Sequence, residues 1–401
     1  MSRRDPFDVA VVGAGVVGAA AALAFARDGL RVALVEAREP TPWRADTPDL
    51  RVYAFAPDNA ALLDDLGVWE SVRAARLQPY RAMRVWDAAG GGELAFEADA
   101  FARRELGWIV EHGLLVDRLW SALPAAGVQL QCPEQVIGLE QDDSGASLQL
   151  ASSVHLRARL VLAADGADSQ LRTLAGIQAD AHDYGQRGLV AFVESQHPHR
   201  DTCWQRFLPS GPLALLPFVD AADGSANVGR RSSIVWTLPE ADAARLLALD
   251  DAAFLIELTR AFDGPLGAML GVSQRVAFPL RRQLAQACVA GRVAIVGDAA
   301  HVVHPLAGQG VNLGLRDVTA LRATVASACS RGVDIAAPAR LARWARERRS
   351  DNALAAYGFD ALNRLFSNDA VAATLLRGPA LGLVGKLPPL TYALWKRAAG
   401  L

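Results

Sequence analysis

The segment from Gly291 to Asp317 has residue types and an order suited to holding a flat cofactor ring that takes up negative charge. A β-branched run at 293–296 predicts a strand buried on both faces, and Gly297 and Asp298 come at its carboxyl end. Asp298 could accept a hydrogen bond there from a ribityl hydroxyl. Because small residues let the backbone approach a ring closely, we predict a flavin beside the loop of His304, Pro305, Gly308, Gln309 and Gly310.

A helix is predicted to follow this loop, from about Val311 to Ala328. The free amides at its start, including those of Val311 and Asn312, would face the ring. The positive end of such a helix stabilises negative charge on the N1/C2=O edge of a reduced flavin by about 0.3–2 kcal/mol.

The amino terminus predicts a nucleotide site independently. A strand at 7–12 leads into the glycine turn GAGVVG, and a helix over 19–28 precedes a second strand at 31–35. In this pattern Gly13 makes the turn, Gly15 lets a pyrophosphate approach, and Gly18 lets the helix pack on the strand. Glu36 ends the second strand, at the position where an acidic side chain accepts a hydrogen bond from a ribose 2′-hydroxyl. Its negative charge argues against a nucleotide with a 2′-phosphate at this site. The alternative is a purely structural glycine turn.

Three motifs in this order resemble those of the class A flavoprotein monooxygenases. They are the glycine turn, ADGADSQLR at 164–172 and the Gly297-Asp298 segment. Within that class the chain most resembles the ubiquinone-biosynthesis ring hydroxylases, through HPLAGQGVNLG at 304–314, TCWQRFLPSGPLALLP at 202–217 and GWIVE at 107–111.

The resemblance implies roles for further residues. Asp165, Gly166 and Arg172 would serve both FAD and nicotinamide binding, and Arg51 would lie near the flavin. The family commonly has Glu-Asn followed by a polar or basic residue, whereas this chain has Glu111-His112-Gly113. The FAD contact expected from that family motif is therefore left unassigned here.

The resemblance also implies the chemistry. FAD would be reduced by NAD(P)H or another reductant and would react with O2 to form a C4a-hydroperoxide that hydroxylates an electron-rich phenolic ring. Trp204, Phe207 and Pro217 lie on strands expected to face the flavin, the alternative being ordinary core aromatics and a strand-end proline. No general base can be named from the sequence.

Composition excludes other classes of function. The net charge is −2 and there is no basic tract, so no nucleic acid partner is expected. The four scattered cysteines predict reduced thiols in the cytoplasm. His301 and His304 are spaced like metal ligands, but no third ligand accompanies them, so no metal is predicted. No apolar run approaches the roughly 18 residues of a membrane span.

The expected fold class is α/β: a Rossmann-like FAD-binding domain, an inserted and mostly antiparallel substrate domain, and carboxyl-terminal helices. We assign 1–75, 100–180 and 285–335 to the discontinuous FAD-binding domain, 76–99 and 181–284 to the substrate domain, and 336–401 to the helical region. Strands are predicted within the substrate domain at 81–86, 92–96, 189–193, 203–207, 213–217, 231–236 and 273–279.

Two readings of the carboxyl-terminal tail, 378–401, stay open: packing within the protein, or peripheral contact with the inner membrane. The function predicted from these observations is FAD-dependent hydroxylation of a polyprenylated phenol or quinol in ubiquinone biosynthesis, with other proteins of that pathway as possible partners. A hydroxylase of a small soluble aromatic acid and a non-catalytic flavoprotein scaffold are the alternatives.

Overall fold

The computed structural model describes residues 6–88, 90, 92–219, 229–304, 310–366 and 387–400. In chain order, its strands are β1 (Phe7–Val12), β2 (Val32–Val35), β3 (Val52–Phe55), β4 (Gln78–Tyr80), β5 (Ala82–Asp87), β6 (Glu93–Glu97), β7 (Gly107–Glu111), β8 (Gln129–Gln131), β9 (Val136–Asp142), β10 (Gly145–Leu150), β11 (His155–Ala163), β12 (Ala179–Ser195), β13 (Thr202–Leu208), β14 (Gly211–Pro217), β15 (Arg231–Pro239), β16 (Met269–Val272), β17 (Val276–Ala285), β18 (Val289–Ala290), β19 (Val293–Ile295) and β20 (His301–Val302).

The helices of the described residues are α1 (Val16–Arg27), α2 (Pro57–Asp65), α3 (Trp69–Ala75), α4 (His112–Ala122), α5 (Gln170–Leu174), α6 (Glu240–Ala248), α7 (Asp251–Phe262), α8 (Gly310–Cys329), α9 (Pro338–Phe366) and α10 (Pro388–Ala399). Short 3-10 turns lie at Asp99–Phe101 and Gly297–Ala299. No helix in these described ranges is long and apolar enough to cross a membrane.

The first sheet carries the nucleotide-binding elements. Its strands run in the order β18-β19-β11-β1-β2-β8, with β9 and β10 paired beside β11, and β19, β11, β1, β2 and β8 are parallel. Parallel strands covered on both faces bury every side chain, as β2 and β19 do. Helix α1 packs against this sheet and against α4 and α8, so its side chains are buried almost all round.

The second sheet is mostly antiparallel and runs in the order β20-β17-β12-β15-β14-β13-β5-β6, with β16 beside β12. A third sheet of β3, β7 and β4 lies between the hydrophobic core of the first sheet and a smaller apolar cluster that includes Ile109, Phe192 and Phe218. The mixed α/β architecture agrees with the predicted fold class. The domain boundaries stay a prediction, and β20, from the segment assigned to the FAD-binding domain, pairs with β17 of the second sheet.

Three local expectations needed correction. Helix α1 begins at Val16, three residues earlier than expected. The strand predicted at 273–279 begins three residues later, at Val276, as the start of β17; β16 ends at Val272, and between the two strands Ser273 bonds to the backbone of Phe192 through both its amide and its hydroxyl. Helices α6 and α7 interrupt the stretch expected to be sheet.

A buried carboxylate joins the late cofactor motif to the helices behind it. Asp317 on α8 is only 1% exposed; its Oδ2 accepts from the Gly297 amide at 3.1 Å and lies 2.6 Å from His301 Nε2. Its Oδ1 accepts from Arg348 Nε at 2.8 Å and Asn352 Nδ2 at 3.1 Å, both on α9. Burial raises the pKa of Asp317, but the attraction and hydrogen bonds of His301 and Arg348 outweigh it and hold the pKa below its ordinary value. The carboxylate is therefore ionised, and it connects the Gly297 turn and His301 to α9.

We predict that Asp317→Ala lowers the free energy of unfolding by about 3–5 kcal/mol, because it leaves a buried guanidinium without its carboxylate. Asp351→Ala is the matched control, since Asp351 pairs with the same Arg348 but is 61% exposed, and it should cost under about 1 kcal/mol. Denaturant titration of both variants measures the difference. Equal losses of unfolding free energy in the two variants would contradict this role of Asp317.

Candidate active site

The glycine turn combines two glycines that packing requires with one that faces open space. A Cβ on Gly13 would collide with the Ala164 carbonyl, and one on Gly18 would collide with the Gly13 carbonyl. A Cβ on Gly15, the N-cap of α1, would meet no atom within 4 Å, and its φ of −63° is accessible to any residue. The protein itself therefore does not require glycine at 15, which points to a ligand passing close to that backbone.

Glu36 lies at the end of β2, as its motif predicts, and its carboxylate faces the glycine turn. Oε2 accepts from the Ala14 amide at 2.6 Å and Oε1 accepts from the Arg38 amide at 3.0 Å. A carboxylate has about four acceptor positions, so it can still accept a ribose hydroxyl.

Eight of the residues expected to bind FAD line one cavity of about 520 Å³. They are Gly13, Gly15, Glu36, Arg51, Asp165, Gly166, Asp298 and Val311. A Cβ on Gly166 would also meet nothing within 4 Å, so open space follows the backbone along this groove. Open glycine backbone, the start of α1 and carboxylates at two strand ends together fit an FAD molecule.

A larger cavity of about 940 Å³ adjoins the first. Arg51, Tyr53, Asp298 and Val311 line both of them, and Gly310 lines the larger. A ring held at this junction would present one edge to each space. Pro305, Gly308 and Gln309, expected at the same edge, lie outside the described residues, while His304 is buried with its ring centroid 5.1 Å from that of Tyr184.

Two expected cofactor residues have side chains engaged within the protein. Asn312 Oδ1 accepts from the Ala56 amide at 3.0 Å and from Asn59 Nδ2 at 2.9 Å, and its Nδ2 donates to the Ala54 carbonyl at 2.8 Å. Asn312 thus fixes the start of α8 against β3 and α2, and its contact with a cofactor stays a prediction.

Arg172 is the second of these residues. Its guanidinium donates to the carbonyls of Ala167 and Ala299, at 3.0 and 2.9 Å, and so links the ADG motif to the Gly297–Ala299 turn. Asp165 caps the start of α5 by accepting from the Leu171 amide at 3.1 Å and from the Ser169 hydroxyl. A nicotinamide contact by these residues stays a prediction.

Strand register determines which side chains line the larger cavity. Residues paired across neighbouring strands share a face, and one such row joins Val276, Val190, Val235, Ala214 and Gln205. A second row joins Cys203, Met83 and Phe96. All of these residues line the cavity, so one face of the sheet forms its wall.

The three residues expected to contact substrate do not form a group. Trp204 contributes to the cavity wall, but its position between Cys203 and Gln205 turns its ring to the opposite face, where it packs on Trp86 with centroids 6.2 Å apart. Pro217 also has the register of the opposite face, whereas Phe207 shares the face of Cys203 and Gln205 and packs with Val85 in a small cluster. Contact of these three residues with a substrate stays a prediction.

Sequence reasoning missed a pair beside the cavity junction. The Tyr53 hydroxyl lies 2.9 Å from His112 Nδ1, and both residues line the smaller cavity. Burial, together with the charge of Arg51, lowers the pKa of His112 to about 4, so the imidazole is neutral at pH 7. The sequence signal that could have indicated this pair is the difference from the family at Glu111-His112-Gly113. His112 is also the first residue of α4.

Comparison with known proteins places this geometry in context. A family model described as an FAD binding domain matches residues 6–355. The chain is 37% identical over 399 residues to 3-demethoxyubiquinol 3-hydroxylase of Escherichia coli (strain K12), covering 99% of each chain. It is 39% identical over 397 residues to ubiquinone hydroxylase UbiL of Rhodospirillum rubrum, covering 98% of this chain and 89% of that protein.

The fold has solved counterparts. The structure of p-nitrophenol 4-monooxygenase PnpA from Pseudomonas putida DLL-E4 superimposes with a TM-score of 0.77 at 18% identity, covering 98% of both chains. At that identity the likeness shows the fold.

We predict that Gly15→Val yields a folded protein with at least about tenfold weaker FAD binding, a loss of roughly 1.4 kcal/mol, because the side chain would occupy ligand space while its Cβ meets no protein atom within 4 Å. Gly18→Ala is the contrasting variant and should lower the melting temperature itself, since its Cβ meets the Gly13 carbonyl. FAD titration and thermal unfolding of both apoproteins separate the two effects. Normal FAD affinity in Gly15→Val would refute the assignment.

We predict that His112 makes stability pH-dependent. As the pH falls below about 6.5 the unfolded chain binds a proton that the folded chain binds only near pH 4, so stability falls across this window by at most about 3 kcal/mol. His112→Asn should remove this loss. Denaturant titrations at about pH 8 and about pH 4.5 in excess FAD check it, with exposed His155→Asn as control. An unchanged pH dependence in His112→Asn would count against the neutral imidazole.

Proposed function

This chain belongs to the FAD-binding-domain family and is an FAD-dependent monooxygenase, and from that premise we propose that it hydroxylates the aromatic ring of a polyprenylated phenol or quinol in ubiquinone biosynthesis. The relatives named for ubiquinol and ubiquinone hydroxylation align over nearly the whole chain, which supports this substrate class. NAD(P)H or another reductant and O2 are the proposed co-substrates.

The observation that carries the proposal is the large apolar cavity beside the proposed flavin edge. Its volume, about 940 Å³, is near the upper end of small-molecule sites and far exceeds the needs of one aromatic ring. The second sheet contributes Val, Leu, Met and Phe side chains to its wall.

The cationic side chains in that wall argue against a small aromatic acid as substrate. Of the described residues, Arg51 and Arg281 line the cavity. Arg281 pairs with Asp168 at 2.6 Å, and Arg51 is exposed, with its guanidinium 5.4 Å from the Tyr53 ring centroid. Neither is the buried, unpaired arginine that a substrate carboxylate would require.

The chain's own residues would position the reactants. Reduced FAD, when bound, would activate O2 so that one of its oxygen atoms can be transferred to the aromatic ring. The start of α8, at Gly310 and Val311, and Asp298 would hold the flavin edge at the cavity, and the apolar wall would exclude water from it. Gln205 and Thr237 lie on the wall and would offer polar groups to a phenolic hydroxyl.

The proposal also covers the location and the partners of the enzyme. We place the enzyme in the cytoplasm, with peripheral contact at the inner membrane and with other ubiquinone-biosynthesis proteins as partners. Helix α10 supports a membrane contact, because it exposes Tyr392 beside Lys396 and Arg397, and the preceding Leu387 is exposed as well. A non-catalytic flavoprotein scaffold remains the alternative from another class.

We predict O2-dependent hydroxylation that rises with tail length. Each CH2 removed from water contributes about 0.8 kcal/mol, so adding one isoprene unit should lower the KM severalfold or more until the cavity is filled. The measurement is product mass after turnover with isotopically labelled O2 and a reducing system, using a tail-less phenol and its prenylated analogues.

The outcomes separate the three functions. One labelled oxygen in the prenylated product supports the proposal. Preference for a free aromatic acid would replace it with the small-acid hydroxylase, and reduction of FAD without oxygen transfer to any ring would favour the scaffold.

A further inference from the structure

Helix α10 forms part of the wall of the large cavity, although the motifs of the sequence give it no role. Leu394, Trp395 and Ala398 line that cavity together with Asp298 and Gly310. The same space therefore extends from the proposed flavin edge to the carboxyl-terminal helix.

The topology of the second sheet separates these two ends. The Gly297–Ala299 turn runs directly into β20, the strand at one edge of the sheet. Helix α10 packs at the other edge, where Trp395 and Ala399 share a cluster with Phe96 of β6 and Leu106. Lining residues occur on every strand from β17 to β6, so the cavity crosses this face of the sheet from near one edge to the other.

The two ends also differ in chemistry. The flavin end contains charged side chains, those of Asp49, Arg51, Arg281 and Asp298. The lining residues at the α10 end are uncharged and almost wholly apolar: Tyr80, Met83, Phe96, Leu106, Leu394, Trp395 and Ala398. An elongated ligand with a polar ring and an apolar tail matches this gradient in one orientation, with the ring at the flavin.

Helix α10 is held firmly against the sheet edge. The Trp395 ring stacks on Phe101 with centroids 4.7 Å apart and an interplanar angle of 17°. Arg316 of α8 donates to the Ala398 carbonyl at 2.8 Å and pairs with Asp58 at 2.6 Å. This end of the cavity is therefore preformed, as small-molecule sites usually are.

We propose that the inner face of α10 is a tail subsite, in which Leu394, Trp395 and Ala398 bind the distal part of a substrate's isoprenoid chain against Phe96 and Leu106. The inference rests on the proposed function and assigns its tail specificity to this helix. It predicts that narrowing the subsite affects long-tailed substrates selectively.

The test compares two alanines of α10 that are both exposed. Ala398→Trp fills the subsite, whereas Ala393→Trp, the control, adds the same side chain outside the cavity wall formed by the described residues. Ala398→Trp should lower kcat/KM for a long-tailed phenol by roughly tenfold or more, because several methylene contacts are lost, and should leave a tail-less phenol within about twofold. Ala393→Trp should leave both unchanged. FAD content and melting temperature report folding.

A second variant weakens the subsite without filling it. Leu394→Gln keeps the volume but removes apolar contact, so it should raise the KM for the long-tailed phenol and not for the tail-less one. Affinity for a non-reacting prenylated analogue, measured by titration of the FAD-loaded protein, should fall in parallel.

Equal effects of Ala398→Trp on both substrates, or none, in a folded, FAD-loaded protein would overturn the subsite. If Ala398→Trp fails to fold, a long-tail KM unchanged in Leu394→Gln would overturn it too. A wild-type enzyme that hydroxylates no prenylated phenol would overturn the proposed function instead, and the analogue titration would still decide whether α10 binds an isoprenoid chain.

Discussion

The arrangement of the site depends most on the hydrogen bonds and ion pair made by the buried carboxylate of Asp317. It receives donors from the Gly297 turn and from α9, and it contacts His301 at the start of β20. Because an ionised group with so little exposure is stable only when these partners surround it, the turn, β20 and α9 are held to α8 together. Asp298 is the next residue after Gly297, so the same network fixes where that carboxylate meets the two cavities.

The second sheet divides its two faces between different tasks. One face carries the row from Val276 to Gln205 that lines the large cavity. The other face packs on α6 and α7, and Arg206 reinforces this contact by donating to the carbonyls of Ala261 and Phe262 at 3.1 Å. Because side chains alternate along a strand, a residue and its neighbour necessarily serve different faces. Trp204 and Gln205 illustrate this.

The junction of the two cavities has open space, two charged side chains and a neutral histidine. Arg51 and Asp298 lie on its walls, and the neutral His112 contacts Tyr53 beside them. Burial raises the pKa of Tyr53 well above its ordinary value, so its hydroxyl stays protonated and can donate a hydrogen bond. A cofactor ring held there would lie between a polar groove on one side and a largely apolar chamber on the other, which suits chemistry that must exclude water.

The sequence by itself determined the elements whose requirements are local. The glycine turn, Glu36 at the end of β2 and Gly297-Asp298 after β19 follow from short segments in which strand, turn and helix signals are contiguous. The resemblance to flavin-dependent ring hydroxylases rested on these motifs, and the comparisons confirmed it. Even helix α7 carried a readable signal, since Asp250 caps it by accepting from the Ala253 amide at 2.8 Å.

Only the tertiary structure decided what depends on residues far apart in the chain. The faces of Trp204 and Pro217 depend on register between strands, and the engagement of Asn312 depends on β3 and α2, more than 250 residues earlier. The contribution of α10 to the cavity depends on packing between Trp395 and Phe101. Local patterns specify which backbone conformation a segment prefers, whereas these contacts arise from the simultaneous burial of separate segments, and no single segment encodes them.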